Sequence, residues 1–116
     1  MVEYEYVTLH QLLASYMYKF KTKSISFLEL KQWANYVKKN FKVHDYQVIP
    51  LLTKESISSF TSDHMFYKTE KMFCLNEDIS LDDLGCFCSK MSQQLLLLFT
   101  FKTNDFTPTL NNENTL

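Results

Sequence analysis

Apolar residues in the N-terminal third of the chain recur with the period of an α-helix in two stretches. Residues 9–20 place Leu, Tyr, Met and Phe three or four positions apart, and residues 8–11 begin with Thr and end with Gln, a capping-box signature. Residues 26–29 repeat this signature with Ser and Glu, and the apolar period continues to about Asn40. The pattern predicts two amphipathic helices, joined by a short extended piece at residues 24–26.

Residues 41–60 mix helix and loop signals. The apolar positions within residues 46–52 predict a compact third helix, with His44 or Asp45 near its start. Pro50 lacks a backbone N–H, so it either kinks this helix or stands in the first turn of one that begins later. The serines within residues 56–59 are weak helix formers, and we expect the helix to end among them.

Two other stretches have the composition of strands. Residues 57–75 are rich in Phe, Tyr, Met and Thr and are divided by polar breaks, which predicts an antiparallel hairpin of short strands. Residues 1–7 alternate apolar and acidic side chains, and this alternation fits either a short edge strand or a docked extended arm.

A seam of apolar residues spaced three or four positions apart predicts a long C-terminal helix over residues 80–101. Its last turns are apolar nearly all round, so we expect it to pack on a second copy of the chain, although residues 95–99 also fit a buried strand. Residues 1–102 would form a single domain, and the Asn- and Thr-rich residues 103–116 are expected to be disordered. The predicted dimer interface comprises Leu84, Phe87, Met91, Leu95 and Leu98.

Charge is unevenly distributed along the chain. Eight of the twelve lysines lie between Lys19 and Lys54, against two acids there, whereas the flanking segments are acidic and the net charge is −1. This polarity indicates a polyanionic partner without specifying a fold. The chain has no arginine, so such a contact would depend on ammonium groups and not on bidentate guanidinium pairs.

Catalytic and cofactor motifs are not apparent. A single glycine excludes a Gly-rich phosphate loop, and nothing local places a nucleophile beside a base. The three cysteines are expected to be reduced, and Cys86 and Cys88 would point to opposite sides of a helix. We therefore expect no metal, no cofactor and no enzymatic activity. Without a signal peptide or a membrane-spanning apolar run, the sequence favours a cytoplasmic protein with no membrane partner.

The predicted order of elements resembles the winged helix-turn-helix superfamily, in particular small bacterial transcriptional regulators that dimerise through a terminal helix. The resemblance covers about residues 8–100 and implies an α+β, mainly helical fold with a small antiparallel hairpin and a long C-terminal helix. It also implies that the third helix enters the major groove of double-stranded DNA while the hairpin, the wing, touches the flanking backbone. The contacts implied are Lys38, Lys39, Lys42, His44, Gln47, Lys54, Lys68 and Lys71.

Two functions are consistent with these features. The first is a homodimeric, DNA-binding transcriptional regulator whose lysine-rich face contacts phosphates. The second is a winged-helix module that contacts other proteins without binding DNA. The first is the primary prediction. The second is kept as its alternative, because the segment from His44 to Lys54, with one lysine, one aspartate and one proline, offers little for direct base readout.

Overall fold

A computed structural model describes residues 3–43, 45–84, 92–103 and 106–107, and these residues form an α+β fold, as predicted. The helices and strands in chain order are β1 (Glu3–Val7), α1 (Leu9–Phe20), β2 (Ser24–Ser26), α2 (Phe27–Asn40), β3 (Tyr46–Pro50), α3 (Lys54–Ser58), β4 (Phe66–Lys68), β5 (Met72–Leu75) and α4 (Gln93–Leu96). Two 3-10 turns, Leu81–Asp83 and Leu97–Phe99, stand on either side of α4 in the sequence.

The first two helices begin where the capping signatures predict. Thr8 Oγ1 accepts the backbone N–H of Gln11 at 3.2 Å, and Gln11 Oε1 accepts the backbone N–H of Thr8 at 2.9 Å. Ser26 and Glu29 make the same reciprocal pair at the start of α2. Both helices are confirmed, because each capping box satisfies backbone N–H groups that have no partner inside the helix.

Three strands form an antiparallel sheet in the order β2–β5–β4. The adjacent strands β4 and β5 are the predicted hairpin, with Phe66 opposite Leu75. Strand β2 is the short extended piece between the first two helices, and it pairs with β5 from Ser24, opposite Cys74, to Ser26, opposite Met72. The hairpin and the extended piece are therefore confirmed.

Residues 46–50 form a strand, so the predicted third helix is wrong over this stretch. Strand β3 runs parallel to β1, which is thereby confirmed as a strand. The alternative with Pro50 in a first helical turn is also wrong, because α3 begins at Lys54 after its N-cap Thr53. Strand β3 pairs with β1 from Tyr46, opposite Glu3, to Pro50, opposite Val7, and Pro50, which has no N–H to donate, stands at the end of the strand.

The C-terminal region is not one continuous helix. Ser92 has an extended backbone, with φ −62° and ψ 157°, and its side chain accepts the backbone N–H of Leu95 as the N-cap of α4. The long helix predicted over residues 80–101 is therefore wrong at Ser92, where a new helix begins. Residues 95–99 are helical or in a 3-10 turn, so the buried-strand alternative is wrong as well. Residues 85–91 lie outside the described residues.

The core lies between the first two helices, the two sheets and the C-terminal segment. Trp33, Phe66 and Phe73 are its largest fully buried side chains. Phe106, within the tail predicted to be disordered, also packs against this core, with its ring centroid 5.3 Å from that of Trp33. The disorder expected over residues 103–116 stays a prediction. Residues 104–105 and 108–116 of this tail lie outside the described residues.

Candidate binding groove

A groove of about 560 Å³ lies between α2 and the segment formed by β3, α3 and their connection. This volume is within the range of protein ligand sites, and the groove is partly open to solvent. We refer to it as the basic groove. Its lining residues are Lys31, Ala34, Asn35, Lys38, Ile49, Pro50, Leu52, Thr53, Lys54 and Ile57.

Three lysines from two helices converge on the basic groove. Lys31 and Lys38 stand seven residues apart on α2, so they share one face of the helix two turns apart, and both are exposed. Lys54 is the exposed first residue of α3, on the facing wall. No carboxylate stands among the described residues that line the groove. The groove therefore presents uncompensated positive charge.

The rest of the lining is mainly apolar. Ile49, Leu52 and Ile57 are half-buried, so each still offers carbon surface to a ligand. A second hollow, of about 330 Å³, shares Lys31, Lys54 and Ile57 with the first and extends to Phe27 at the start of α2. The two hollows share these lining residues, and their linings together follow α2 from Phe27 to Lys38, about 16 Å at 1.5 Å per residue.

Local hydrogen bonds fix the wall that carries Lys54. Thr53 caps the N-terminus of α3 by accepting the Ser56 backbone N–H at 3.0 Å. At the other end of α3, the Lys68 ammonium donates to the carbonyl of Ile57 at 2.8 Å and lies 3.5 Å from that of Ser58. A helix of five residues has little stability of its own, so these caps define its position.

The predicted nucleic-acid contacts are not all in one place. Lys38 and Lys54 line the basic groove, whereas the exposed Lys39 and Lys42 are not among its lining residues. Gln47 is exposed on β3, and Lys71 is exposed beside the turn of the hairpin. Lys68 is engaged with the carbonyls at the end of α3, and His44 lies outside the described residues. Lys31 was missed, although its spacing of seven from Lys38 was visible in the sequence.

Three of the five residues of the predicted dimer interface are buried within the single chain. Leu84, Leu95 and Leu98 are buried in the core with 0%, 3% and 0% of their surface exposed. Their apolar surface is therefore already covered within one chain. Phe87 and Met91 lie outside the described residues.

Two pairs of polar side chains outside the groove contact each other within the chain. His10 Nε2 and Asp63 Oδ2 lie 2.7 Å apart at the surface. The phenol of Tyr16 donates to Glu29 Oε2 at 3.4 Å, and burial, together with the Glu29 carboxylate, raises the pKa of Tyr16. Cys74 is a free, half-buried thiol, and Cys86 and Cys88 lie outside the described residues.

Within the described ranges, no helix has the length and apolar character needed to cross a membrane. In the same part of the chain, no group of three or more His, Cys, Asp or Glu side chains is arranged to hold a metal ion.

No protein-family model, no curated protein and no solved structure matches this chain. The basic groove is consequently the feature from which a function can be inferred.

Proposed function

We propose that this protein is a non-catalytic docking module that binds an acidic segment of another protein in the basic groove. One observation carries the proposal: Lys31, Lys38 and Lys54 converge on a groove whose other walls are mainly apolar and whose described lining contains no carboxylate. A ligand with both acidic and apolar side chains is complementary to such a surface.

The lysines and the apolar side chains of the groove contribute differently to the binding free energy. Exposed ion pairs are worth about 0.2–1 kcal/mol each, so three lysines favour fast association and correct orientation more than high affinity. Burial of apolar surface contributes about 25 cal/mol per Å², and Ile49, Leu52 and Ile57 supply that surface. A purely anionic ligand would use only the first contribution, and this is why we favour a protein segment.

A second candidate function is DNA binding, as the sequence resemblance implies. The observation that favours it is the sheet order β2–β5–β4, with its first strand between two helices and its hairpin after them, as in winged-helix domains. Exposed Lys38, Lys39, Lys42, Lys54 and Lys71 would contact phosphates. The five residues of α3 extend only about 7.5 Å, so base readout by this helix would be minimal. The homodimer expected from the sequence is part of this second candidate.

The two candidates can be separated with a panel of synthetic acidic peptides of graded leucine content and a duplex DNA of about 20 base pairs. Each probe would be titrated at about 50 and about 300 mM salt. We expect peptides that combine Glu with Leu to bind more tightly than peptides of Glu with Ser, and to bind more tightly than the duplex.

The critical variant is Lys38→Glu with Lys54→Glu, and its matched control is Lys23→Glu with Lys102→Glu. All four lysines are exposed, both variants change the net charge equally, and the control pair is not among the groove lining. Binding that is lost only in the first variant supports the proposal. Tight, salt-sensitive binding of the duplex alone would replace it with the second candidate, and equal loss in both variants would refute a role for the groove.

A further inference from the structure

We infer that the segment bound in the basic groove is an amphipathic α-helix of about three turns, with acidic side chains seven residues apart, lying alongside α2. This inference rests on the proposed docking function and adds the conformation and the charge spacing of the partner. The partner's chemistry follows from the length of the groove, the spacing of its lysines and the inaccessibility of the neighbouring strand edge.

Length is the first argument. Together, the linings of the two neighbouring hollows follow α2 from Phe27 to Lys38, about 16 Å. An α-helix covers this distance in about three turns, whereas an extended chain would cover it in about five residues and bring few side chains to the walls. Because the long axis of the groove is that of α2, the bound helix would lie beside α2.

Charge spacing is the second argument. Lys31 and Lys38 are two helical turns apart on one face of α2, about 10.5 Å along its axis. Two acids seven residues apart on a neighbouring helix have the same rise, so both can meet these lysines at once. This match holds whether the bound helix runs parallel or antiparallel to α2. The third lysine, Lys54, would meet an acid from the other wall.

The strand edge beside the groove is the third argument. The Leu51 N–H donates to the Val7 carbonyl, and backbone groups along a parallel strand point alternately to its two sides, so those of Val48 point away from β1. Val48 is only 3% exposed, so an incoming strand could not pair with its backbone at the centre of β3. A helix needs no such pairing, because its backbone hydrogen bonds are already satisfied.

The apolar lining completes the match. Ile49, Leu52 and Ile57 line the same groove as the three lysines. A helix whose leucines recur every three or four residues, flanked by acids on the same side, would cover these side chains while its acids meet the lysines.

The test uses the full chain and three fluorescent peptides of about fourteen residues. The first has a leucine face flanked by two Glu seven residues apart. The second has the same composition but moves one Glu so that the spacing is five, which places it on the opposite side of the helix. The third has the first peptide's sequence with two central residues replaced by Pro, which prevents helix formation.

We expect the first peptide to bind and to gain helical circular dichroism on binding. The second should bind about two- to fivefold more weakly, because it loses one exposed ion pair, and the third should lose binding by more than about tenfold. Binding of the Pro peptide as tight as that of the first would overturn the helical partner while leaving the docking function intact. Failure of all three peptides, with the chain folded, would refute both.

Charge exchange tests the pairing directly. The variant Lys38→Glu should bind the first peptide at least about fivefold more weakly. A peptide with Lys in place of the facing Glu should restore the affinity for this variant. Lys23→Glu, which alters an exposed lysine that is not among the groove lining, should change neither affinity. If the exchanged peptide does not recover binding, Lys38 does not face that acid and the proposed alignment with α2 is wrong.

Discussion

The indole N–H of Trp33 donates to Ser15 Oγ at 3.2 Å, and both residues are fully buried where α1 and α2 pack together. Ser15 in turn donates to the carbonyl of Leu12 at 3.1 Å. The Ser15 hydroxyl thus accepts a hydrogen bond from the buried indole N–H on the neighbouring helix and donates its own proton to a backbone carbonyl. This polar pair links the two helices inside a mainly apolar core.

Replacing Ser15 with Ala should destabilise the fold by about 1–3 kcal/mol, because the Trp33 indole N–H would then be buried without a partner. Urea unfolding monitored by far-UV circular dichroism gives the free energy of unfolding. A double-mutant cycle with Trp33→Phe provides the control, since Ser15→Ala should cost less once the indole N–H is gone. Equal costs in the two backgrounds would show that the hydrogen bond contributes nothing.

Lys19 holds the C-terminal segment against α1. Its ammonium donates to the carbonyls of Phe99 and Phe101 and lies 4.7 Å from the ring centroid of Phe101. Burial lowers the pKa of Lys19. Lys19→Met keeps the apolar stem but removes these contacts, so we expect a loss of about 1 kcal/mol and faster amide exchange at residues 99–101. The exposed Lys23→Met should leave both unchanged, and similar exchange in the two variants would contradict this role.

Asp63 should make stability depend on pH. Partial burial raises the pKa of its carboxyl group, but the Phe66 N–H, His10 and the Met65 N–H together outweigh this and lower it. The pKa of Asp63 in the folded protein lies below the unfolded value of about 3.9. The stability that the Asp63 carboxylate contributes is therefore fully present above about pH 3.9 and is lost as pH falls through the folded pKa. Asp63→Asn should therefore be less stable than the parent at pH 7, and the difference should shrink at about pH 3.

The matched control for that pH comparison is Asp78→Asn, which changes an exposed carboxylate. Its unfolding free energy should follow that of the parent at both pH values. A constant difference between Asp63→Asn and the parent across this range would show that the carboxylate charge is not what stabilises the turn.

Lys68 should support ligand binding without touching the ligand. Lys68→Met removes the ammonium group that donates to the Ile57 carbonyl, so α3 should lose its C-terminal cap. The position of Lys54, at the other end of α3, should then be less fixed. We expect faster amide exchange at residues 54–58 and weaker binding of the helical peptide, by about two- to fivefold. Lys71→Met, at the exposed end of the hairpin, should alter neither. Loss of binding in Lys71→Met instead would favour a ligand that also contacts the hairpin.

The elements that the sequence predicts correctly are those whose signals are local. The capping boxes at Thr8 and Ser26 act within one helical turn, and the hairpin strands are neighbours in the chain. Strand β3 depends on β1, which is far away in the sequence, so the apolar residues around Val48 looked equally compatible with a helix. The spacing of Leu84, Leu95 and Leu98 reflects a common buried environment, which does not require one continuous helix.

The candidate site was only partly predictable for a related reason. Charge distribution identified the lysine-rich stretch, and both Lys38 and Lys54 belong to the basic groove. Its apolar walls come from β3 and α3, whose positions depend on nonlocal pairing and on the Lys68 cap. The positive charge is therefore visible in the sequence, whereas the concave surface that the lysines line is not.

The parallel pairing of β1 with β3 sets an order on biosynthesis. Residues 3–7 leave the ribosome well before residues 46–50, and β1 is the only strand paired with β3 in the described part of the chain. Strand β1, which carries the exposed Tyr4 and Tyr6, therefore remains unpaired until the middle of the chain has emerged. Two of the residues that line the groove, Ile49 and Pro50, are placed by this late event. A nascent chain should thus be unable to dock its partner until its beginning and its middle have met.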